Sequence, residues 1–328
     1  MIGRMALDPV LERPHTSDDP AFSDAVTCVF ADQQSGVQGT IRLGLAGGAA
    51  SGLMMIFVDG DPAVTKAEGG VAVTGTPESY GELRVAGITH DVVTPHERWT
   101  VDAATDTGAL QLRFEAAGPP FRLDPDHETA RWGGLEGYEQ PCRVTGHVTV
   151  IGPGGSQRIA IDGLGQRGHQ WGAPDWTRLT VTRTITGWFG GDVAFNVSAM
   201  RPEGVESHAD EISWASVSRV PREEFDEDDD ETADAVAPAG DAQPEAVSTP
   251  GPRISTTMDE SGRQIDATIE LWESDEGPVW TATGEAIAGT TLALGRLRLD
   301  MAFFRWRMNG REGVGRYDIL QRIIEPAE

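Results

Sequence analysis

Residues 163–176 read Gly-Leu-Gly-Gln-Arg-Gly-His-Gln-Trp-Gly-Ala-Pro-Asp-Trp, at mid-chain, with four glycines, two tryptophans and a histidine in fourteen positions. Glycine admits positive φ and lets other groups come close. A hairpin pattern precedes the stretch: residues 143–151, the Gly-rich 152–155, then 157–161. A strand-like run, residues 179–185, follows it. The stretch therefore reads as a shaped loop on a β scaffold, where chemistry tends to sit. Its first six letters, Gly163-x-Gly165-x-x-Gly168, fit the dinucleotide fingerprint. That fingerprint needs a strand before it and a helix after it. Gly172 and Pro174 break any helix in its first turns. Asp192 follows a Gly-Gly turn instead of ending a strand. The nucleotide reading is set aside.

Outward from this stretch the chain keeps a β rhythm. Residues 26–30, 40–45 and 53–58 are short apolar or alternating runs, and Asp59-Gly-Asp-Pro closes the third with turn residues. Runs at 71–73, 82–93, 98–101 and 110–114 continue the spacing. After the central stretch come 193–200, 212–220, 264–271, 279–283, 291–299 and 315–320. No long segment has a 3.6-residue period. Short strands with regular turns predict an all-β chain of antiparallel barrels or sandwiches. Two domains are expected, 1–162 and 163–328. Residues 1–22 read as an arm over the fold. The tract 221–252 carries eleven acidic residues and one basic residue, and reads as a disordered acidic insertion between strands.

Composition bounds the partners. The chain has 328 residues and a net charge of −26. Nucleic acid needs a basic face, and an anionic membrane surface repels such a chain. No 18-residue apolar run predicts a transmembrane span, and the N-terminus lacks an apolar signal core. A cytoplasmic location is expected. Cys28 and Cys142 fit no disulfide framework or metal spacing and read as buried thiols. His208-Ala-Asp210 lacks a third metal ligand. One lysine stands against 25 arginines, which fits a GC-rich genome or a salty cytoplasm equally well.

The central stretch resembles a superfamily of paired lipocalin-like domains that includes the carotenoid 1,2-hydratases. That family carries Gly-x-Gly-x-Arg-Asp-His-x-Trp-Gly, often followed by Arg-Asp-Trp. Gly163, Gly165, Arg167, His169, Trp171, Gly172, Asp175 and Trp176 stand in matching places. Two departures stand out: Gly168 replaces the acid before the histidine, and Ala173-Pro174 precedes Asp175-Trp176. The resemblance implies two lipocalin-like β domains and hydratase, isomerase or cyclase chemistry on an isoprenoid-like or acyl substrate, with no cofactor and no metal.

The residues suit that chemistry. Alkene hydration needs an acid that protonates carbon, and His169 has an imidazole near operating pH if a carboxylate holds its proton. Asp175 is the first choice of partner, ahead of Asp162 and Asp192. Trp171 offers a π face to a cation, and Arg167 positions a polar head or Asp175. Trp176, Phe304 and Trp306 are candidate substrate contacts. Each residue also has a plainer reading as packing or ion pairing. Three functions stay open: a proton-transfer enzyme, a carrier of a hydrophobic small molecule in a β cavity, and an interaction protein using the acidic tract. If the acid missing at 168 is what limits activity, Gly168→Asp raises it.

Overall fold

In a computed structural model, residues 7–207, 210–219, 245–249, 251–272 and 279–323 are described. They form two curled antiparallel sheets with very little helix. The first sheet holds β1 (Ser23–Asp32), β2 (Val37–Ala46), β3 (Ala49–Val58), β4 (Asp61–Ala72), β5 (Ile88–Thr94), β6 (Arg98–Ala104), β7 (Gly108–Ala116), β8 (Phe121–Arg122), β9 (Leu135–Gly152) and β10 (Gly155–Gly172). Its order is β4-β3-β2-β1-β10-β9-β7-β6-β5, with β8 on β9. A short helix, α1 (Glu128–Gly133), precedes β9.

The second sheet holds β11 (Leu179–Phe189), β12 (Val193–Pro202), β13 (Ile212–Arg219), β14 (Glu245–Thr249), β15 (Arg253–Met258), β16 (Gln264–Trp272), β17 (Val279–Leu294), β18 (Leu297–Met308) and β19 (Arg311–Arg322). Its order is β14-β13-β12-β11-β19-β18-β17-β16-β15. Each sheet curls so that alternate side chains meet inside it. Phe30, Trp99 and Phe114 fill the first curl, and Phe195, Phe304 and Trp306 the second.

The two sheets also pack on each other through their outer faces. Val29, Met55 and Phe57 of the first meet Trp188, Met301 and Phe303 of the second in one buried cluster. The chain leaves the first sheet at Gly172 and enters the second at Leu179. The expected division at 162/163 falls inside β10.

The expected loop at 163–172 is instead the second half of β10, paired with β1 on one side and β9 on the other. Its glycines serve close approach, not turning. A Cβ on Gly165 would lie 2.2 Å from the Val29 carbonyl oxygen. The expected single run 291–299 is the end of β17, a turn at Gly295 and the start of β18. Most of the acidic tract lies outside the described residues, but its end, Glu245–Thr249, is a strand paired with β13. Asp59 and Gly60 both take positive φ in the β3–β4 turn, as their residue types predict.

Candidate functional site

Side chains alternate along β10, so Arg167, His169 and Trp171 point into the first curl. The N-terminal arm comes down on them. Glu12, at the end of a 3-10 turn (Pro9–Glu12), meets the Arg167 guanidinium at 2.7 Å. Glu12 also accepts from the Trp99 indole N–H at 3.1 Å and the His96 backbone N–H at 2.9 Å, and Arg167 donates to the Tyr138 hydroxyl. Burial alone would raise the Glu12 carboxyl. The charge on Arg167 and the contacts from His96 outweigh it and hold the group ionised, below its usual value. Arg167 has no exposed surface.

One turn of the pleat further on, His169 is equally sealed. Its Nδ1 lies 2.8 Å from the Leu11 carbonyl oxygen and its Nε2 lies 2.7 Å from Asp24 Oδ1. Tyr80 donates its hydroxyl to the same Oδ1 at 2.9 Å. The His15 backbone N–H donates to Asp24 Oδ2, and the His15 Nδ1 stands 3.4 Å from that oxygen. The His15 ring stacks on Trp171, with centroids 3.7 Å apart. Burial would raise Asp24, but the hydrogen bonds from His15 and His169 hold it well below the carboxylate range. Burial pulls His169 down, and the Asp24 hydrogen bond opposes that pull.

Both His169 nitrogens face oxygen acceptors. A neutral ring has one N–H, so with Nδ1–H on Leu11, Nε2 and Asp24 oppose lone pair to lone pair. A proton between them makes the ring a donor to both oxygens, and the Nε2–H tautomer donates to Asp24 alone. The ligand atoms of His15, Asp24 and His169 all lie within 4.8 Å of one another, spacing that suits a metal ion. His15 forms part of the wall of a cavity of about 390 Å³, with Phe22, Leu45, Val73 and Pro77.

The other expected residues lie elsewhere. Asp175 is exposed and closes its own turn, accepting from the Thr177 N–H at 2.9 Å and hydroxyl at 2.6 Å. The expected Asp175–His169 pair is not formed. Asp162 binds Arg143 at 3.0 Å, and Asp192 binds Arg311. The partner of His169 is Asp24, and that of Arg167 is Glu12. Trp171 has its face covered by His15. Trp176 is half-buried in a groove of about 680 Å³ beside Arg296 and Leu297. Phe304 and Trp306 stack on each other, centroids 5.1 Å apart, in the core of the second sheet.

Asp24 carried a legible signal: Asp24, Val26, Cys28 and Phe30 alternate, which puts one acid on an otherwise apolar inward face. His15 and Glu12 carried none, because an arm has no periodicity.

The opposite face of β10 looks toward the second sheet. Gly168 pairs with Glu139 of β9, and the Glu139 carboxylate lies over the bare glycine. A Cβ on Gly168 would sit 2.2 Å from Glu139 Oε2. The Gln166 amide donates to Oε2 at 2.6 Å and the Gln170 amide to Oε1 at 2.9 Å. Gln166 is fixed in turn by the Trp188 indole N–H at 3.3 Å. Burial pushes the Glu139 carboxyl up to about 7, against the pull of the Gln166 hydrogen bond and the Arg316 charge. Asp318, bonded to Arg316 at 2.7 Å, is raised by burial too. Here the facing surfaces turn from apolar to polar, and Gln170 is exposed. At the apolar end the sheets leave a void of only about 10 Å³ beside Leu164 and Trp188.

Solved structures share this architecture over nearly the whole chain. A protein of Nitrosomonas europaea assigned as AttH is 10% identical and covers 99% of each chain, with a TM-score of 0.64. CghA, crystallised with Sch210972, is 12% identical over 93% of this chain and 89% of its own, TM-score 0.62. Kievitone hydratase from Nectria haematococca is 11% identical over 96% and 93%, TM-score 0.57. At such identities the likeness is one of fold: two curled antiparallel sheets, the paired arrangement expected from the Gly163–Trp176 stretch. No curated protein sequence matches the chain. Among the described residues no helix is long and apolar enough to cross a membrane. Residues 8–220 match a family described as a domain of unknown function, DUF7064, and the chain belongs to that family.

Proposed function

We propose that this chain is a proton-transfer enzyme of the hydratase, isomerase or cyclase kind, that its substrate is an apolar isoprenoid-like or acyl molecule lying between the two sheets, and that Glu139 is its acid. The observation that carries this reading is the Glu139 carboxyl over Gly168, facing the second sheet and bonded by two amides, with burial pushing it up to about 7. An acid tuned near neutrality is what protonation of carbon requires. In the hydration form of the reaction, the Glu139 proton passes to an alkene carbon. The carboxylate left behind is stabilised by the two amide donors and by Arg316. Water adds to the cation and returns a proton to Glu139. The apolar inter-sheet cluster is closely packed beside Trp188, so the substrate meets Glu139 at the polar end of the inter-sheet face, where Gln170 is exposed. The names of two fold neighbours, one a hydratase and one crystallised with a small molecule, favour the same reading. His169 and Arg167, sealed beneath the arm, act by holding β10 in place.

The test starts from native mass spectrometry of the purified protein before and after organic extraction. The released molecule is then incubated in D2O with wild type and with Glu139→Gln. Deuterium uptake at carbon by wild type, slowed about 100-fold or more in Glu139→Gln, is expected. A released molecule that takes up no deuterium would make the protein a carrier. Equal uptake by both would remove Glu139 as the acid.

A further inference from the structure

We infer that His15, Asp24 and His169 form a binding site for a divalent transition-metal ion of the zinc type. Neither this site nor the inter-sheet face depends on the other. The donor set is two imidazole nitrogens and one carboxylate, which suits zinc, cobalt or nickel. The three ligand atoms lie within 4.8 Å of one another. They come from the arm, the start of β1 and the end of β10, so the tertiary structure alone assembles them.

The surroundings are those of a ligand shell. Metal-bound histidines commonly give their second N–H to a backbone carbonyl, which fixes the tautomer. His169 Nδ1 is 2.8 Å from the Leu11 carbonyl oxygen, leaving Nε2 as the lone pair aimed inward. His15 Nδ1 is buried, has no hydrogen-bond partner and faces Asp24 Oδ2. Trp171 stacks on the His15 ring and sets its plane. Tyr80 holds Asp24 from the far side.

An ion with bonds of roughly 2.0–2.1 Å needs its donors about 3.3 Å apart. His169 Nε2 and Asp24 Oδ1, now 2.7 Å apart, must separate by roughly half an ångström. The ion takes the place of the proton between them, and the released proton goes to solvent. His15 lies at the wall of the 390 Å³ cavity, so the remaining coordination positions open onto it and take water or a small anionic ligand.

The experiment uses tag-free, full-length protein stripped with chelator and titrated with Co2+, then Zn2+. One Co2+ per chain is expected, with the visible absorption of nitrogen and oxygen ligation, displaced by one Zn2+. His15→Ala, on the outer side of the cluster, weakens binding about 100-fold or more, and His147→Ala, on β9 and outside the cluster, leaves it as in wild type. Asp24→Asn, with folding checked by circular dichroism, abolishes it. Absence of stoichiometric Co2+ binding, or equal affinity in wild type and His15→Ala, overturns the assignment.

Discussion

Glu139 binds a proton more tightly in the folded chain than in the unfolded one, because its burial penalises the charge. Its value rises from 4.5 to about 7. The protonated group stabilises the fold fully below about 4.5, and that contribution is lost as pH rises through about 7. Glu139→Gln, which keeps the shape without the charge, is therefore expected to add roughly 1–3 kcal/mol at pH 8 and little at pH 5. Urea unfolding at the two pH values measures the difference, and an equal effect at both would contradict the buried-acid description. Gly168→Asp sets a second carboxylate against the first. We expect it to lower stability by about 2 kcal/mol or more, with most of the loss recovered in Glu139→Ala/Gly168→Asp. Gly168 is the seat of the Glu139 carboxylate, so an aspartate there displaces that carboxylate, and a fall in activity is the expected outcome.

At the scale of elements, the arm and β10 act as one unit. Glu12 and Arg167 are a buried ion pair with few other ways to be satisfied. Removing one partner of such a pair typically costs about 3–5 kcal/mol, so Glu12→Gln is expected to fall in that range by chemical denaturation. A loss under about 1 kcal/mol would mean that the arm sits loosely. A chain beginning at Thr16 loses Glu12 and His15 together and leaves Arg167 charged in the core. It is expected to unfold at lower denaturant than Glu12→Gln, while an equal midpoint would show that Glu12 alone anchors the arm. The burial of His169 and Arg167 follows from their place on the inward face of β10 together with this cover of arm residues.

For the whole molecule, a net charge of −26 repels itself in the compact state. Added salt screens that repulsion over about 10 Å at 0.1 M. The melting temperature is expected to rise by several degrees between about 20 and 500 mM NaCl, by differential scanning calorimetry. A flat or falling curve would mean that the ion pairs scattered over the sheets outweigh the net charge. The sheets themselves are held together by the apolar inter-sheet cluster, where Phe57 meets Phe303 edge-on with centroids 5.9 Å apart. Phe303→Ala is expected to cost about 3–5 kcal/mol.

The sequence by itself determined the β class, most strands, the turn at Asp59-Gly60 and the resemblance that implied paired lipocalin-like sheets, because alternation and turn chemistry are local properties. It also singled out Arg167, His169 and Trp171 as unusual. It misread Gly163–Gly172 as a loop, since a glycine needed for close strand packing and one needed for a turn are the same letter. What only the tertiary structure decided is who meets whom. Asp24, not Asp175, faces His169 because β1 pairs with β10. The Glu139 carboxylate lies over Gly168 because β9 pairs with β10 in that register. His15 joins them because the arm folds back over the curl. Those partners lie 29 to 154 residues from the motif residues they serve, and no local pattern encodes a pairing made across such a span.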